Sequence, residues 1–243
     1  MKYYLVCHLD QPKSSWVLHD VIKRVPKRKN PEMPSAFYKF FSPPDADVHM
    51  KKRYQALCCP KCGRYDSDTV FDAGFEEPMA LRFKQDMAWT DDRQLVLSDK
   101  VRDVLKKAKV GGYETKPIGK SGWHVLKVTL RVDCNKKVYN LEKPNCKACN
   151  QPAEGGCGGG GIWQLRDIKA PAGAATFFTT KVGWASMYLA DRQLFMTEDV
   201  YQTLKGGKIS GPYCDRLLTD EEVATMKATR KQPAGRTVYL KGK

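Results

Sequence analysis

The sequence predicts a strand-rich α+β fold built of two related halves with few helices, and three observations carry that prediction. A segment in the first half is echoed in the second. An alternating apolar pattern lies between the two copies, and a CxxC pair precedes each of them.

The echo is the most informative of the three. Asp92-Arg-Gln-Leu-Val-Leu-Ser-Asp-Lys-Val101 reads nearly in register with Asp191-Arg-Gln-Leu-Phe-Met-Thr-Glu-Asp-Val200. The match continues through Leu105 and Leu204, Lys106 and Lys205, Lys109 and Lys208, Val110 and Ile209, and Gly112 and Gly211. In each copy a short apolar run, 95–97 or 194–196, predicts a strand. Ser98 or Thr197 then offers a hydroxyl suited to capping a helix, and Asp99 or Glu198 puts negative charge in its electropositive first turn. Val101, Val104, Leu105 and Ala108 recur at helical spacing and make one apolar stripe. Gly111 and Gly112 are expected to end the first helix, and Gly211 the second. Two copies are too few for a stacked array, so the pattern reads as a duplication. The halves are expected at 1–118 and 119–243, packed as one compact unit.

The remaining strands follow from alternation. Across 123–134, Leu126, Val128, Leu130 and Val132 share one face and Lys127, Thr129 and Arg131 the other. Shorter candidates are 3–6, 16–25, 80–83, 161–165, 176–180 and 237–240. The proline-rich stretch 26–44, with Lys27-Arg28-Lys29, reads as a loop, and the glycine run 155–161 as a flexible insertion in the second half.

The chain has nine cysteines. Its first ten residues lack a basic n-region, a full apolar core and a small-residue cleavage site, so no export signal is expected and thiol or metal chemistry is favoured over disulfides. Four cysteines form two pairs, Cys59-Pro-Lys-Cys62 and Cys146-Lys-Ala-Cys149; the others are Cys7, Cys58, Cys134, Cys157 and Cys214. Two thiolates at CxxC spacing can bite one tetrahedral ion, and two such pairs complete the shell of a structural zinc. Gly63 after Cys62 and Asn150 after Cys149 tolerate the left-handed backbone that such a knuckle needs. The expectation is one structural Zn2+ held by Cys59, Cys62, Cys146 and Cys149, about one per chain.

The spacing leaves other arrangements open. Ordinary zinc ribbons separate their pairs by roughly 15–20 residues, whereas here a whole strand–helix copy intervenes. Cys134, Cys146, Cys149 and Cys157 lie near enough in sequence for a site of their own, and Cys58 or His49 could join Cys59 and Cys62. A redox CxxC needs a strand before it and a helix after it, and no strong helix pattern follows the first pair. Buried thiols without an ion are the last alternative.

Catalytic motifs fail on inspection. Gly119-Lys120-Ser121 has Glu114 where a phosphate loop needs its first glycine, and Gly207-Lys208 is followed by Ile209. His8, His19, His49 and His124 form neither HExxH nor a close pair, and no serine sits in a G-x-S-x-G elbow. The protein is expected not to be an enzyme. No apolar run approaches the ~18–20 residues of a membrane span, so a cytoplasmic protein without membrane contact is expected. Lys and Arg number 42 against 27 Asp and Glu, a net charge of +15. The runs Lys51-Lys-Arg53, Lys106-Lys107 and Lys136-Lys137 and the tail 227–243 are scattered, as solvated faces are. Their sum still favours an acidic partner, protein or nucleic acid. Phe37-Tyr-Lys-Phe-Phe41 suits either base stacking or a core.

Cys59-Pro-Lys-Cys62-Gly63, the second pair Cys146/Cys149 and the Leu-Val-Leu-Ser…Val…Leu…Gly units together resemble the bacterial double-CXXCG motif proteins. These are known from myxobacteria as immunity proteins of polymorphic toxin systems. The resemblance spans about residues 50–219. Asn150 stands where the family has its second glycine, and the N-terminal segment has no counterpart. The resemblance implies a cytoplasmic immunity protein that binds and neutralises one cognate toxin without chemistry of its own. The alternative is a zinc-ribbon-like nucleic-acid-binding protein.

Overall fold

A computed structural model describes residues 1–6, 57, 59–62, 65–75, 83–89, 94–135, 146–150, 164–181, 184–186, 189–229, 231, 233 and 236–241. Among these residues the chain is strand-rich α+β, as expected. It runs β1 (Tyr3–Val6), β2 (Tyr65–Asp66), α1 (Ser67–Ala73), β3 (Met87–Trp89), β4 (Leu95–Ser98), α2 (Asp99–Lys107), β5 (Tyr113–Pro117), β6 (Trp123–Val128) and β7 (Arg131–Val132). A 3-10 turn (Leu165–Asp167) leads on to β8 (Phe177–Thr180), β9 (Trp184–Ser186), β10 (Leu189–Asp191), β11 (Leu194–Thr197), α3 (Glu198–Gly206), β12 (Tyr213–Arg216), α4 (Asp220–Thr229) and β13 (Thr237–Tyr239). The strands form a four-stranded sheet β3-β4-β6-β5, a six-stranded sheet β13-β12-β1-β11-β8-β7 and a small sheet β2-β10-β9.

Alternation along the strands dictates the layers. Leu95 and Leu97 of β4, and Leu194 and Met196 of β11, turn inward to one core, which Val101 and Leu105 of α2 and Val200 and Leu204 of α3 complete. The intervening residues face outward. Val96 and Val125 lie under Val70, Phe71 and Phe75 of α1 and its C-terminal turn. Phe195 and Phe178 pack with Tyr3, Val132, Ile168 and Leu217 on the outside of the six-stranded sheet.

The two echoed segments take the same local form, and their strand registers correspond. Met87 pairs with Leu97 as Phe177 pairs with Met196, and Leu97 pairs with His124 as Met196 pairs with Tyr4. Thr115 opposite Leu126 matches Cys214 opposite Val6. The slot that β6 fills beside β4 is therefore filled beside β11 by β1, drawn from the other end of the chain. Strand pairing crosses residue 118 at both places: β6 joins β4 and β5, and β1 joins β11 and β12.

The helix ends lock these units together. Lys109 (φ 52°) and Lys208 (φ 51°) each hold the left-handed conformation. The following amides of Val110 and Ile209 reach back to Leu105 O and Leu204 O, both at 3.0 Å, closing two Schellman turns. The left-handed residue is lysine, not the expected glycine, at a cost of about 1–2 kcal/mol in each copy. The glycines lie beyond, where the turns dock reciprocally: Phe177 N–H donates to Gly111 O (3.1 Å) and Met87 N–H to Ser210 O (2.9 Å).

One capping expectation holds and several others are corrected. Ser98 caps α2, its hydroxyl accepting from Val101 N–H at 3.5 Å. Thr197 does not cap α3 with its side chain; its buried hydroxyl accepts from Thr176 N–H at 3.1 Å across the sheet. The alternating stretch 123–134 is not one strand. It breaks after Val128, where Thr129 N–H turns to Gly112 O (2.9 Å), and β7 joins the other sheet parallel to β8. Leu165 opens a 3-10 turn instead of ending a strand. Candidate strand 16–25, most of 80–83 and loops 26–44 and 155–161 lie outside the described residues.

Two expected outcomes test this framework. At Gly112 (φ +75°) an added Cβ would lie 2.0 Å from Phe177 O, whereas at Gly211 it would meet Met87 Cβ at 3.1 Å without a positive φ. Gly112→Ala is expected to cost about 2–4 kcal/mol and Gly211→Ala about 1 kcal/mol, read by chemical denaturation. Asp86 accepts from Ser210 N–H and Oγ–H, both at 2.9 Å, and from Lys100 Nζ at 3.2 Å. Burial raises its pKa, but the Ser210 bonds and the Lys100 charge outweigh that and hold it below the usual value. A depressed folded-state pKa stabilises above the unfolded value of about 3.9 and is lost as pH falls through the folded one. Asp86→Asn is expected to flatten this acid limb, measured by comparing denaturation midpoints at neutral pH and below the unfolded pKa.

Candidate metal centre

The first CxxC pair immediately precedes β2 and α1, and the second lies between β7 and the 3-10 turn. Each is a tight turn because two residues separate the sulfurs, and the second is closed by Asn150 N–H donating to Cys146 O at 2.8 Å. Asn150 takes φ 57°, the left-handed backbone anticipated for that position. Gly63 lies outside the described residues.

The two turns meet. The Sγ atoms of Cys59, Cys62, Cys146 and Cys149 all lie within 4.8 Å of one another. Contacts run between the pairs: Cys59 Sγ to Cys146 Sγ is 3.9 Å and Cys62 Sγ to Cys149 Sγ is 3.7 Å. Zinc–sulfur bonds of about 2.3 Å in a tetrahedron set the sulfurs about 3.8 Å apart, so the cluster already has the required dimensions. Cys59, Cys62 and Cys146 are buried and Cys149 is half-buried. Four soft sulfur donors in a tetrahedral cage suit zinc or iron, and a filled four-thiolate shell leaves no position for a reacting water.

The electrostatics favour thiolates. Burial pushes the Cys146 thiol up, but N–H groups of Ala148 and Cys149 directed at the sulfur, with the thiols of Cys149 and Cys59, more than offset this and bring its pKa to about 7. Lys61 and Lys147, one in each turn, are exposed beside the cluster and offset part of the net negative charge that four thiolates leave around a divalent ion.

All four residues named from the sequence are thus brought together. Cys134 is apart from them, bridging antiparallel to Ile168, and Cys214 is buried in β12 with Sγ 3.7 Å from Pro212 O. Cys7, Cys58, Cys157 and His49 lie outside the described residues. A helix, α1, does follow the first pair, which the sequence pattern did not reveal. Strand β2 separates it from Cys62, so the redox geometry, with a helix opening on the cysteines, is not reproduced. His124 is occupied structurally: its Nε2 lies 2.8 Å from Asp99 Oδ1 and 3.0 Å from Arg102 Nη1, at the start of α2. The corresponding residue, Tyr4, donates to Glu198 Oε2 at 2.8 Å. No helix among the described residues is long and apolar enough to cross a membrane. No family model, curated protein or solved structure matches this chain.

Metal analysis of protein purified without chelator is expected to give about one zinc per chain. Cys59→Ser or Cys146→Ser is expected to remove the metal and at least about 3 kcal/mol of stability, because the ion contributes folding free energy. Cys134→Ser should leave the metal content unchanged.

Proposed function

We propose that the chain is a non-enzymatic zinc protein of the double-CXXCG kind, an immunity protein that binds and neutralises one cognate bacterial toxin in the cytoplasm. The observation that carries this reading is the convergence of two CxxC pairs, 87 residues apart, on one four-sulfur cluster. Those pairs are also the residues on which the family resemblance rests. A closed thiolate shell gives rigidity and no reactive coordination position, which suits a scaffold whose work is recognition. The net charge of +15 suits an acidic toxin surface, found fast through long-range attraction.

Co-expression with the toxin encoded by the adjacent reading frame is the test. Growth is expected to be restored and the two proteins to co-purify, and Cys59→Ser is expected to abolish both. Failure to bind or neutralise that toxin would overturn the immunity reading. Tight binding to duplex DNA or RNA, weakening steeply with salt, would instead favour the nucleic-acid alternative.

A further inference from the structure

The cysteine cluster is closed to solvent on one side only. Cys59, Cys62 and Cys146 are buried, whereas Cys149 is half-buried, so a reagent in solution meets Cys149 first. Its sulfur lies 3.7 Å from Cys62 Sγ, in the other turn. Among the described cysteines none is in a disulfide. From 3.7 Å, closure to a disulfide of about 2.0 Å asks these two sulfurs to approach by about 1.7 Å.

A metal-ligating cysteine is a thiolate, and the thiolate is also the nucleophile toward oxidants. With a hydroperoxide, Cys149 Sγ attacks the O–O bond. An S–O bond forms, the O–O bond breaks, and hydroxide leaves and is protonated to water. The sulfur is then a sulfenic acid, the reversible first rung of cysteine oxidation. Cys62 Sγ attacks that sulfur, the S–S bond forms, and the oxygen leaves as a second hydroxide, also protonated. In sum, two thiolates, one hydrogen peroxide and two protons give one disulfide and two waters. Two sulfur ligands remain, Cys59 and Cys146, which is half of the shell a structural zinc requires.

The place of this bond in the fold decides its consequence. In chain order the first turn leads to α1, whose Val70 and Phe71 lie on the four-stranded sheet, and the second precedes Ile168, on the outside of the six-stranded sheet. A disulfide within one turn would leave these two layers untied once the metal has gone. A disulfide between Cys62 and Cys149 joins residues 87 apart, the same span that the ion closes, and keeps constraining the unfolded chain. We propose that the cluster is a redox latch: a hydroperoxide oxidises Cys149, Cys62 closes a disulfide onto it, and the metal is given up while the two turns stay tied. The inference rests on the zinc reading of the centre and not on the immunity reading.

The test uses the full-length protein purified without chelator, near neutral pH, with hydrogen peroxide as the oxidant. Released zinc is followed with a chromogenic chelator, and cysteine linkage is mapped by alkylation and peptide mass spectrometry. Loss of the metal is expected to keep pace with a Cys62–Cys149 linkage, and dithiothreitol with added Zn2+ is expected to reverse both. Dimedone present from the start should label Cys149 ahead of the other three cluster cysteines. Replacing both Cys134 and Cys214 by serine should leave the linkage unchanged. The oxidised, metal-free protein is expected to have a higher denaturation midpoint than the reduced protein stripped by chelator, because it keeps the cross-link. Metal retained through a large excess of peroxide, linkage mainly within one turn, sulfinate without disulfide, or an oxidised form no more stable than the reduced metal-free one would overturn the proposal. Protein that carries no metal at the outset overturns the zinc reading itself, and the linkage map then still decides whether Cys62 and Cys149 join.

Discussion

Four sulfurs held within 4.8 Å of one another are a constraint the chain cannot satisfy by charge alone. Four thiolates at that separation repel, so a shell without an ion favours the protonated form of some of them. A divalent metal reverses the sign of the interaction and releases those protons, coupling occupancy to folding. It also closes a loop of 87 residues. By the arithmetic used for cross-links, that closure is worth about 4–5 kcal/mol through the unfolded chain. Its placement matters as much. The first turn feeds β2 and α1, and Val70 and Phe71 of α1 cover the outside of the four-stranded sheet. The second lies between β7, the edge of the six-stranded sheet, and the segment carrying Ile168, which covers that sheet's outside. The cluster therefore ties together two outer layers that do not share the central core.

The centre is held by a different device. Each strand–helix unit ends in a Schellman turn whose continuation bonds to the first residue of a strand in the other unit, Gly111 to Phe177 and Ser210 to Met87. The approach is close: a Cβ on Gly207 would lie 3.0 Å from Val104, and Lys100 Nζ donates to Lys208 O at 2.9 Å. Two left-handed lysines are tolerated because the surrounding bonds over-determine the turn, and local strain persists only under such conditions. Burial of the two inner sheet faces and two helix stripes supplies the driving force; the turns fix how the units sit against each other.

Much of this was legible in sequence where a residue's role is set by near neighbours. The runs 95–97 and 194–196, the Ser98 cap and the stripe of Val101 and Leu105 depend only on period and position, and they form as read. The cysteine cluster was legible because thiolate chemistry allows few arrangements. Features decided by distant partners were not. Nothing in 3–6 says that this strand enters between β11 and β12, and nothing in 123–134 says that its end deserts one sheet for another. Thr197 resembles a cap by type, yet the sheet claims its hydroxyl. Helix α4 has no apolar stripe and buries only Val223 among its own residues, so periodicity was silent. Its signal was instead Thr219-Asp-Glu-Glu222, a capping box in which Glu222 N–H donates to Thr219 Oγ1 (3.3 Å) and Thr219 N–H to Glu222 Oε2 (3.0 Å).

Where two corresponding units agree, the agreement is explained by folding; where they diverge, another demand is at work. The correspondence is closest at the helix ends, down to φ angles of 52° and 51° at Lys109 and Lys208. It fails at the opposite ends of the strands. Leu95 and Leu194 still match there, but Trp89, opposite Leu95, stands where the other unit has Thr179 opposite Leu194. Asp68 of α1 closes one side, and Arg192 is drawn toward it. A cavity lined by corresponding positions of both units lies where they adjoin, and equal side chains would fill it evenly. Unequal ones leave it polar on one wall, with a guanidinium held inside. Packing alone would favour apolar side chains of the same volume, since a buried ion pair is seldom more stable than its hydrophobic replacement.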